Sequence, residues 1–409
     1  MRILMITHFL PFPPQGGSLQ RSYNILKQMA KRHQVHLVSL SQKALHPDKN
    51  SLARSIEALK EHCPHVKAVN IPSDSSRLQW YLLLLLNLLS PTPYSVWRFR
   101  SKQMASEIKR FLNGYAYDVL YFDTIDLAQY LPAGLDTPTV MNHHNVESGL
   151  ALRRSASERN PLLRLYLRIQ GLKIRRYETV HAPRFDLNLA VSEVDKALFE
   201  SFIPGARFTV IPSGTDTDYF RACDPGDSKE LVFVGGMTWY PNAAGMSYYC
   251  RKIFPLIKAE VPNVVMNIIG RSPPRAVQEC SLQDSAIRLH GFLPDIREVV
   301  GRSSVYVVPL TVGGGTRLKI LDAFSCGKAV VSTSLGCEGI EVTPGENILI
   351  GDTPESFADQ VVRLLRDKKM RERISTNARR LVEDKYGWPI IGERLDMELE
   401  TLRNAGSGR

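Results

Sequence analysis

Residues 309–331 read PLTVGGGTRLKILDAFSCGKAVV. A β-branched run, Ser304-Val305-Tyr306-Val307-Val308, leads into this stretch and has the pattern of a buried parallel strand. Three glycines follow, Gly313, Gly314 and Gly315, and then a helical pattern with Leu318, Leu321, Ala323 and Phe324, closed by Gly327. Val330 and Val331 open the next strand. A glycine-rich turn is therefore expected between the carboxyl end of a strand and the start of a helix. Glycine lets backbone approach a ligand closely, and the free N–H groups of a helix start attract anions. Arg317 and Lys319 fall in the first turn, where the helix dipole disfavours cations. Their placement makes sense if they face a diphosphate together with Gly313, Gly314, Gly315 and Thr316. A tight turn carrying two solvated charges is the plainer alternative.

The amino-terminal half repeats this plan. Ile3 to Thr7 reads as a buried strand, His8 to Pro14 as a proline-stiffened loop, and Gly16-Gly17-Ser18 as the entry to a helix reaching about Lys31. Further strands are expected at 35–40, 118–122, 139–142, 187–191 and 208–211. The polar, turn-rich linker 222–228 marks a domain boundary, and a second strand–helix series follows with strands at 231–234, 264–269 and 287–289. The last helices are expected at 354–367, 370–384 and 389–402. Alternation of this kind gives an α/β fold with doubly wound parallel sheets. No GxGxxG is present, which argues against a dinucleotide fingerprint.

The strand at 139–142 runs into His143-His144-Asn145. Adjacent strand residues face opposite ways, so one histidine is expected to face a site beyond the strand's carboxyl end. A capped structural histidine is the alternative. Metal binding is not expected, because adjacent histidines rarely serve one ion. Six cysteines without a CxxC pair fit a reducing compartment better than a zinc site or a disulfide framework. The string Asp216-Thr217-Asp218 reads as turn chemistry.

Charge is one-sided. Residues 1–222 hold 28 Lys/Arg against 18 Asp/Glu, a net of +10, whereas the remainder carries a net of +1. Such a surface suits an anionic partner. Two stretches stand out. Trp80 to Leu89 is apolar but half the length needed to span a bilayer, so it is either a packed helix or an interfacial patch. Residues 153–176 hold eight Arg/Lys against the single acid Glu158, and form either a solvated face or a face lying on an anionic membrane. Aromatic residues are not interleaved with them as in a stacking platform, so no nucleic-acid partner is expected. The amino terminus reads as a first strand and not a signal peptide, which leads to the expectation of a cytoplasmic protein, peripheral on the membrane if the second reading holds.

Taken in order, Gly16-Gly17-Ser18, His144-Asn145, VSEVD at 191–195, VIPSGTDTDYF at 210–220, FVGGMTWYPN at 233–242 and the stretch 313–331 resemble a GT-B glycosyltransferase of the retaining, family-four type. The resemblance covers essentially the whole chain. It implies two Rossmann-like domains facing a cleft. Residues 1–222, completed by a helix at 389–405, would take the acceptor, and residues 223–388 would hold a nucleotide-sugar donor of UDP or GDP type. It further implies that Gly16 and Gly17 contact the donor phosphates, that His144 is the active-site histidine, and that Phe292 and Leu293 flank the nucleobase. No cofactor and no obligatory metal are implied. The acceptor expected is lipid-linked or a polysaccharide precursor.

The chain departs from the family pattern at two places. Of the family's two glutamates eight positions apart, Gly314 replaces the one that touches the sugar and Asp322 the one that touches the ribose. The basic pair early in the second domain is absent, since no Lys or Arg occurs between Lys229 and Arg251. Arg317 and Lys319 are the candidate replacements, with Arg271 as a third and Asn145 a possible further cleft residue. The competing readings are a GT-B epimerase or hydrolase acting on the nucleotide sugar alone, and a non-catalytic, basic, membrane-attached module.

Overall fold

The structure, a computed structural model, describes residues 1–75, 77–224, 228–315 and 317–406. The chain forms two compact units, Met1–Pro212 with Ile391–Arg409, and Ser213–Ile390. The division after Pro212 falls ten residues before the boundary expected at 222, because Ser213 to Phe220 already bonds to the second unit. Thr215 pairs with Gly387, and Arg379 binds the carbonyls of Thr217 and Phe220.

Unit 1 is built on seven parallel strands: β1 (Arg2–Thr7), β2 (Gln34–Ser41), β3 (His65–Asn70), β4 (Val119–Asp123), β5 (Thr139–Asn142), β6 (Leu187–Ala190) and β7 (Phe208–Val210), in the order β3-β2-β1-β4-β5-β6-β7. Unit 2 has six: β8 (Glu230–Val234), β9 (Val265–Ile269), β10 (Ile287–Gly291), β11 (Val305–Val308), β12 (Ala329–Ser332) and β13 (Leu349–Ile350), in the order β10-β9-β8-β11-β12-β13. The central strands are mostly apolar because both faces are covered; β4, β5, β11 and β12 are buried at every residue, including the polar Asp123, Asn142 and Ser332 at their carboxyl ends. β3 has the sequence HVKAVN and is half-exposed at an edge, so it lacks the apolar run that marks the others.

Seven helices bear on function: α1 (Gly17–Ala30), α2 (Arg77–Leu88), α3 (Glu147–Ser157), α4 (Pro161–His181), α5 (Tyr240–Tyr248), α6 (Leu318–Ser325) and α7 (Trp388–Gly406). In each sheet the strand order reverses beside the first strand of the unit, between β1 and β4 in unit 1 and between β8 and β11 in unit 2. Open parallel sheets bind ligands outside the carboxyl ends of strands at such a reversal. The loops leaving β1, β4, β8 and β11 are therefore where sites belong. These are the loops that carry Gly16-Gly17, Asp123, Gly235-Gly236 and the stretch 309–317.

Candidate functional site

In unit 1, Thr7, Asp123 and Asn142 lie side by side in register at the ends of β1, β4 and β5. Asp123 is fully buried and accepts three hydrogen bonds: from Ser22 Oγ (2.6 Å), Asn142 Nδ2 (2.7 Å) and His144 Nε2 (3.1 Å). Asn142 in turn accepts from the buried Arg21 guanidinium at 2.8 Å, and Arg21 also donates to the Ile211 carbonyl. His8 Nδ1 donates to the Asp123 carbonyl at 3.0 Å, and its ring meets His144 edge-on at 5.6 Å. Burial alone would push the Asp123 carboxyl up. The nearby His144 imidazole and its hydrogen bond, then His8 and the Ser22 hydroxyl, outweigh it and hold the group well below the usual carboxylate range. An ionised carboxylate only accepts, so His144 carries its proton on Nε2 and has Nδ1 as its other polar atom. Burial pushes His8 down to about 4, so it is neutral near pH 7.

His143 goes elsewhere. It is buried against Phe199 and Phe208, bonds Asn188 through Nε2, and is pushed down to about 4 by burial. Asn145 donates to Glu147 at the start of α3. Gly16 precedes α1 with φ +91°, a conformation that suits glycine, and a Cβ there would meet nothing within 4 Å. The start of α1 is thus open on that side.

Donor atoms of His8, Asp123 and His144 lie within 4.8 Å of one another, a spacing that could hold a metal ion. The partners of Asp123 argue for a hydrogen-bonded cluster instead, since Ser22, Asn142 and His144 all donate to it.

In unit 2, Lys319 on α6 reaches across to the turn after β8. Its ammonium donates to Asn242 Oδ1 at 2.7 Å and lies 4.1 Å over the Phe233 ring, while Asn242 Nδ2 holds the Gly236 carbonyl. A Cβ on Gly235 would lie 2.5 Å from the lysine nitrogen, so the turn leaves that space to Lys319. Burial, then the Arg317 charge, pushes Lys319 down to about 7.

Arg317 behaves differently from expectation. It precedes α6 and is nearly buried, and its guanidinium folds back to donate to the carbonyls of Gly314 and Gly315, bracing the glycine loop. Gly313 and Gly315 have φ of +130° and +73°. Thr316 lies outside the described residues.

Asp322 accepts from Thr215 Oγ1 at 2.8 Å and is raised to about 7 by burial. Phe292 is half-exposed and carries the Arg271 guanidinium on its ring at 4.0 Å, whereas Leu293 is partly buried and packs against the core of unit 2. Asp216 accepts from the backbone N–H groups of Asp218 and Tyr219, the turn its sequence suggested.

A sequence profile described as Glycosyltransferase Family 4 matches residues 15–219, half of the chain, and one described as Glycosyl transferases group 1 matches residues 228–367. The chain belongs to this family of glycosyltransferases. An uncharacterised 44.6 kDa protein of the Klebsiella pneumoniae cps region is 24% identical over 281 residues, 66% of this glycosyltransferase and 69% of that protein. The phosphatidyl-myo-inositol mannosyltransferase of Mycobacterium tuberculosis is 24% identical over 218 residues, 50% of this chain and 56% of its own length. Among solved structures, Anabaena HepE in complex with UDP and glucose superposes with a TM-score of 0.67 at 16% identity, covering 98% of this glycosyltransferase and all of HepE. The fold is GT-B.

His8, Asp123, Arg21 and Asn242 were not among the expected site residues. His8 meets the criterion that singled out His144, a histidine just past a strand's carboxyl end. A buried arginine on an amphipathic helix leaves no such mark.

Proposed function

We propose that this glycosyltransferase moves a sugar from a nucleoside-diphosphate donor to a lipid-linked or polysaccharide-precursor acceptor with retention of configuration. The observation that carries the donor class is Lys319. The chain has no cation between Lys229 and Arg251, and the Lys319 ammonium reaches the β8 turn from the first turn of α6. An ammonium beside two glycine turns at a strand-order reversal suits a diphosphate. In this reading Gly313, Gly314 and Gly315 bring backbone to the phosphates, and Arg317 sets the shape of that loop. Asp322 accepts from the ribose through the oxygen that Thr215 leaves, and Phe292 with Arg271 presents a flat surface to the base. Gly16 and Gly17, in unit 1, offer the open start of α1 to an anionic group. The lipid-linked acceptor draws support from the mannosyltransferase relative, whose name specifies a phosphatidylinositol acceptor.

In the reaction, the bond from the sugar's anomeric carbon to the phosphate oxygen breaks and a bond to the acceptor oxygen forms on the same face. The acceptor's proton passes to the departing phosphate. Asp123 is a poor nucleophile because three donors hold its carboxylate, which favours assistance by the leaving group. His144 bonds a sugar hydroxyl through Nδ1. The test is calorimetric titration with UDP and GDP. Lys319→Met should weaken binding about ten- to a hundredfold while the fold survives. Equal affinity in the variant, or no binding of either nucleotide by the parent, would remove the reading. Product assays with and without acceptor separate transfer from hydrolysis or epimerisation.

A further inference from the structure

The leucine run and the basic stretch, remote in sequence, meet in unit 1. Gln170 and Lys173 of α4 bond to Asn87 at the end of α2, through its side chain at 3.0 Å and its carbonyl at 2.7 Å respectively, and Lys173 also reaches the Leu88 carbonyl. The leucines around this junction point outward. Leu85 is 65% exposed and Leu89 90%, with Leu86 and Leu88 also exposed. On α4, Leu165, Arg168, Leu172 and Arg176 are all exposed at spacings of three and four, so they form one outward stripe in which leucine and arginine alternate. Gln170, Gly171 and Glu178 are buried on the inner side.

Not every basic residue of 153–176 belongs to that stripe. Lys173 serves the α2 junction, Arg164 donates to the Glu158 carbonyl, and Arg175 lies over the Phe202 ring. Among the described residues, no helix is long and apolar enough to cross a membrane.

We propose that the end of α2 and the outward stripe of α4 form one docking face for an anionic lipid bilayer. Leu85, Leu86, Leu89, Leu165 and Leu172 enter the acyl boundary, and Arg168 and Arg176 meet lipid phosphates. The mixture decides the occupant. Exposed leucines alone would suit any apolar partner, but a second copy would bring the same arginines against these. An anionic interface satisfies both kinds of side chain at once. The proposal does not depend on the donor or on the catalytic residues.

The experiment is vesicle co-sedimentation of the full chain with phosphatidylcholine alone and with phosphatidylcholine–phosphatidylglycerol mixtures, at low and high salt. Nucleotide binding is measured alongside as a check of folding. The parent should sediment with the anionic vesicles only, and less as salt rises. Arg168→Gln with Arg176→Gln should weaken binding about twenty- to thirtyfold, at about fivefold for each arginine. Leu85→Ser with Leu89→Ser should weaken it at both salt concentrations. UDP or GDP affinity should be unchanged in both double variants. A parent that stays in the supernatant with anionic vesicles at low salt overturns the proposal. So does a double variant that binds like the parent. A parent dimer that the leucine variant converts to monomer without lipid would assign the face to a second copy instead.

Discussion

At the scale of single residues, the decisive feature is that Asp123 sets the state of His144. Its ionised carboxylate accepts the hydrogen bond from His144 Nε2–H, and Asn142 and Ser22 fix the carboxylate in place. Asp123→Asn offers an amide in its place and loses the preference for one tautomer. We expect kcat to fall by about two orders of magnitude with UDP or GDP affinity nearly unchanged. Nitrogen chemical shifts of labelled histidine should show Nε2 protonation in the parent and a mixture in the variant. A variant with an unaltered tautomer and lowered activity would assign Asp123 some other role. His143→Ala should lower Tm and leave kcat nearly intact, because that ring packs on Phe199 and Phe208. The reverse outcome would contradict the assignment of His144. Lys319 gives a pH dependence. With the free amine titrating near 7, it is charged below that pH and progressively neutral above it. A bound diphosphate raises the amine's pKa, so binding takes up a proton above pH 7, where the nucleotide's terminal phosphate is already ionised. Kd should therefore rise with pH from about 7, by at most about tenfold per unit. The rise should be absent in Lys319→Met, and a Kd independent of pH from 6 to 9 in the parent would exclude this lysine from the site.

At the scale of elements, what could be read from the sequence follows from burial. Strands covered on both faces, such as Val305–Val308, announce themselves as β-branched runs; β3, with one side half-exposed and Lys67 in its middle, does not. The glycine turns at 16–17 and 313–315 were legible because glycine marks backbone that other residues adopt poorly. What the turns do with neighbouring charges was not legible. Sequence order put Arg317 and Lys319 two residues apart and suggested the same task for both, yet one guanidinium folds onto its own loop and one ammonium crosses to another. The space for that crossing is made by Gly235. Gly235→Ala should push Lys319 and Asn242 apart without breaking β8, since the atoms it meets, Lys319 Nζ at 2.5 Å and Asn242 Nδ2 at 2.8 Å, are both side-chain ends and none is backbone. We expect it to weaken UDP or GDP binding about as much as Lys319→Met, and the double variant to be little worse than either single one. Additive losses would mean that the glycine acts on the ligand directly.

At the scale of the whole molecule, the chain completes unit 1 only after it has built unit 2. α7 brings Ile391, Leu395, Leu399 and Leu402 into burial, all at 4% exposure or less. Charge secures the return: Asp396 lies 2.5 Å from Arg32 and 2.6 Å from His33, and Glu398 accepts from Thr209 and Arg207. Gly392 lies so close to Gln28 of α1 that a Cβ would come within 2.8 Å of that side chain. The last helix is thus part of the fold of unit 1 in spite of its place in the sequence. Leu399→Ala leaves a cavity that costs about 2–5 kcal/mol. In a unit of this size that lowers Tm by roughly 5–15 °C. Among the described residues, a hydrophobic cluster around Leu4, Phe122 and Phe199 lies within unit 1, and clusters around Phe233, Phe254 and Phe357 and around Tyr306 and Phe324 lie within unit 2. Scanning calorimetry of Leu399→Ala should therefore lower one of two transitions and leave the other in place, with limited proteolysis at the lower temperature cutting first within residues 1–212. A variant that melts as a single block at a lowered temperature would show that the units unfold together. One with an unchanged profile would show that α7 contributes little to unit 1.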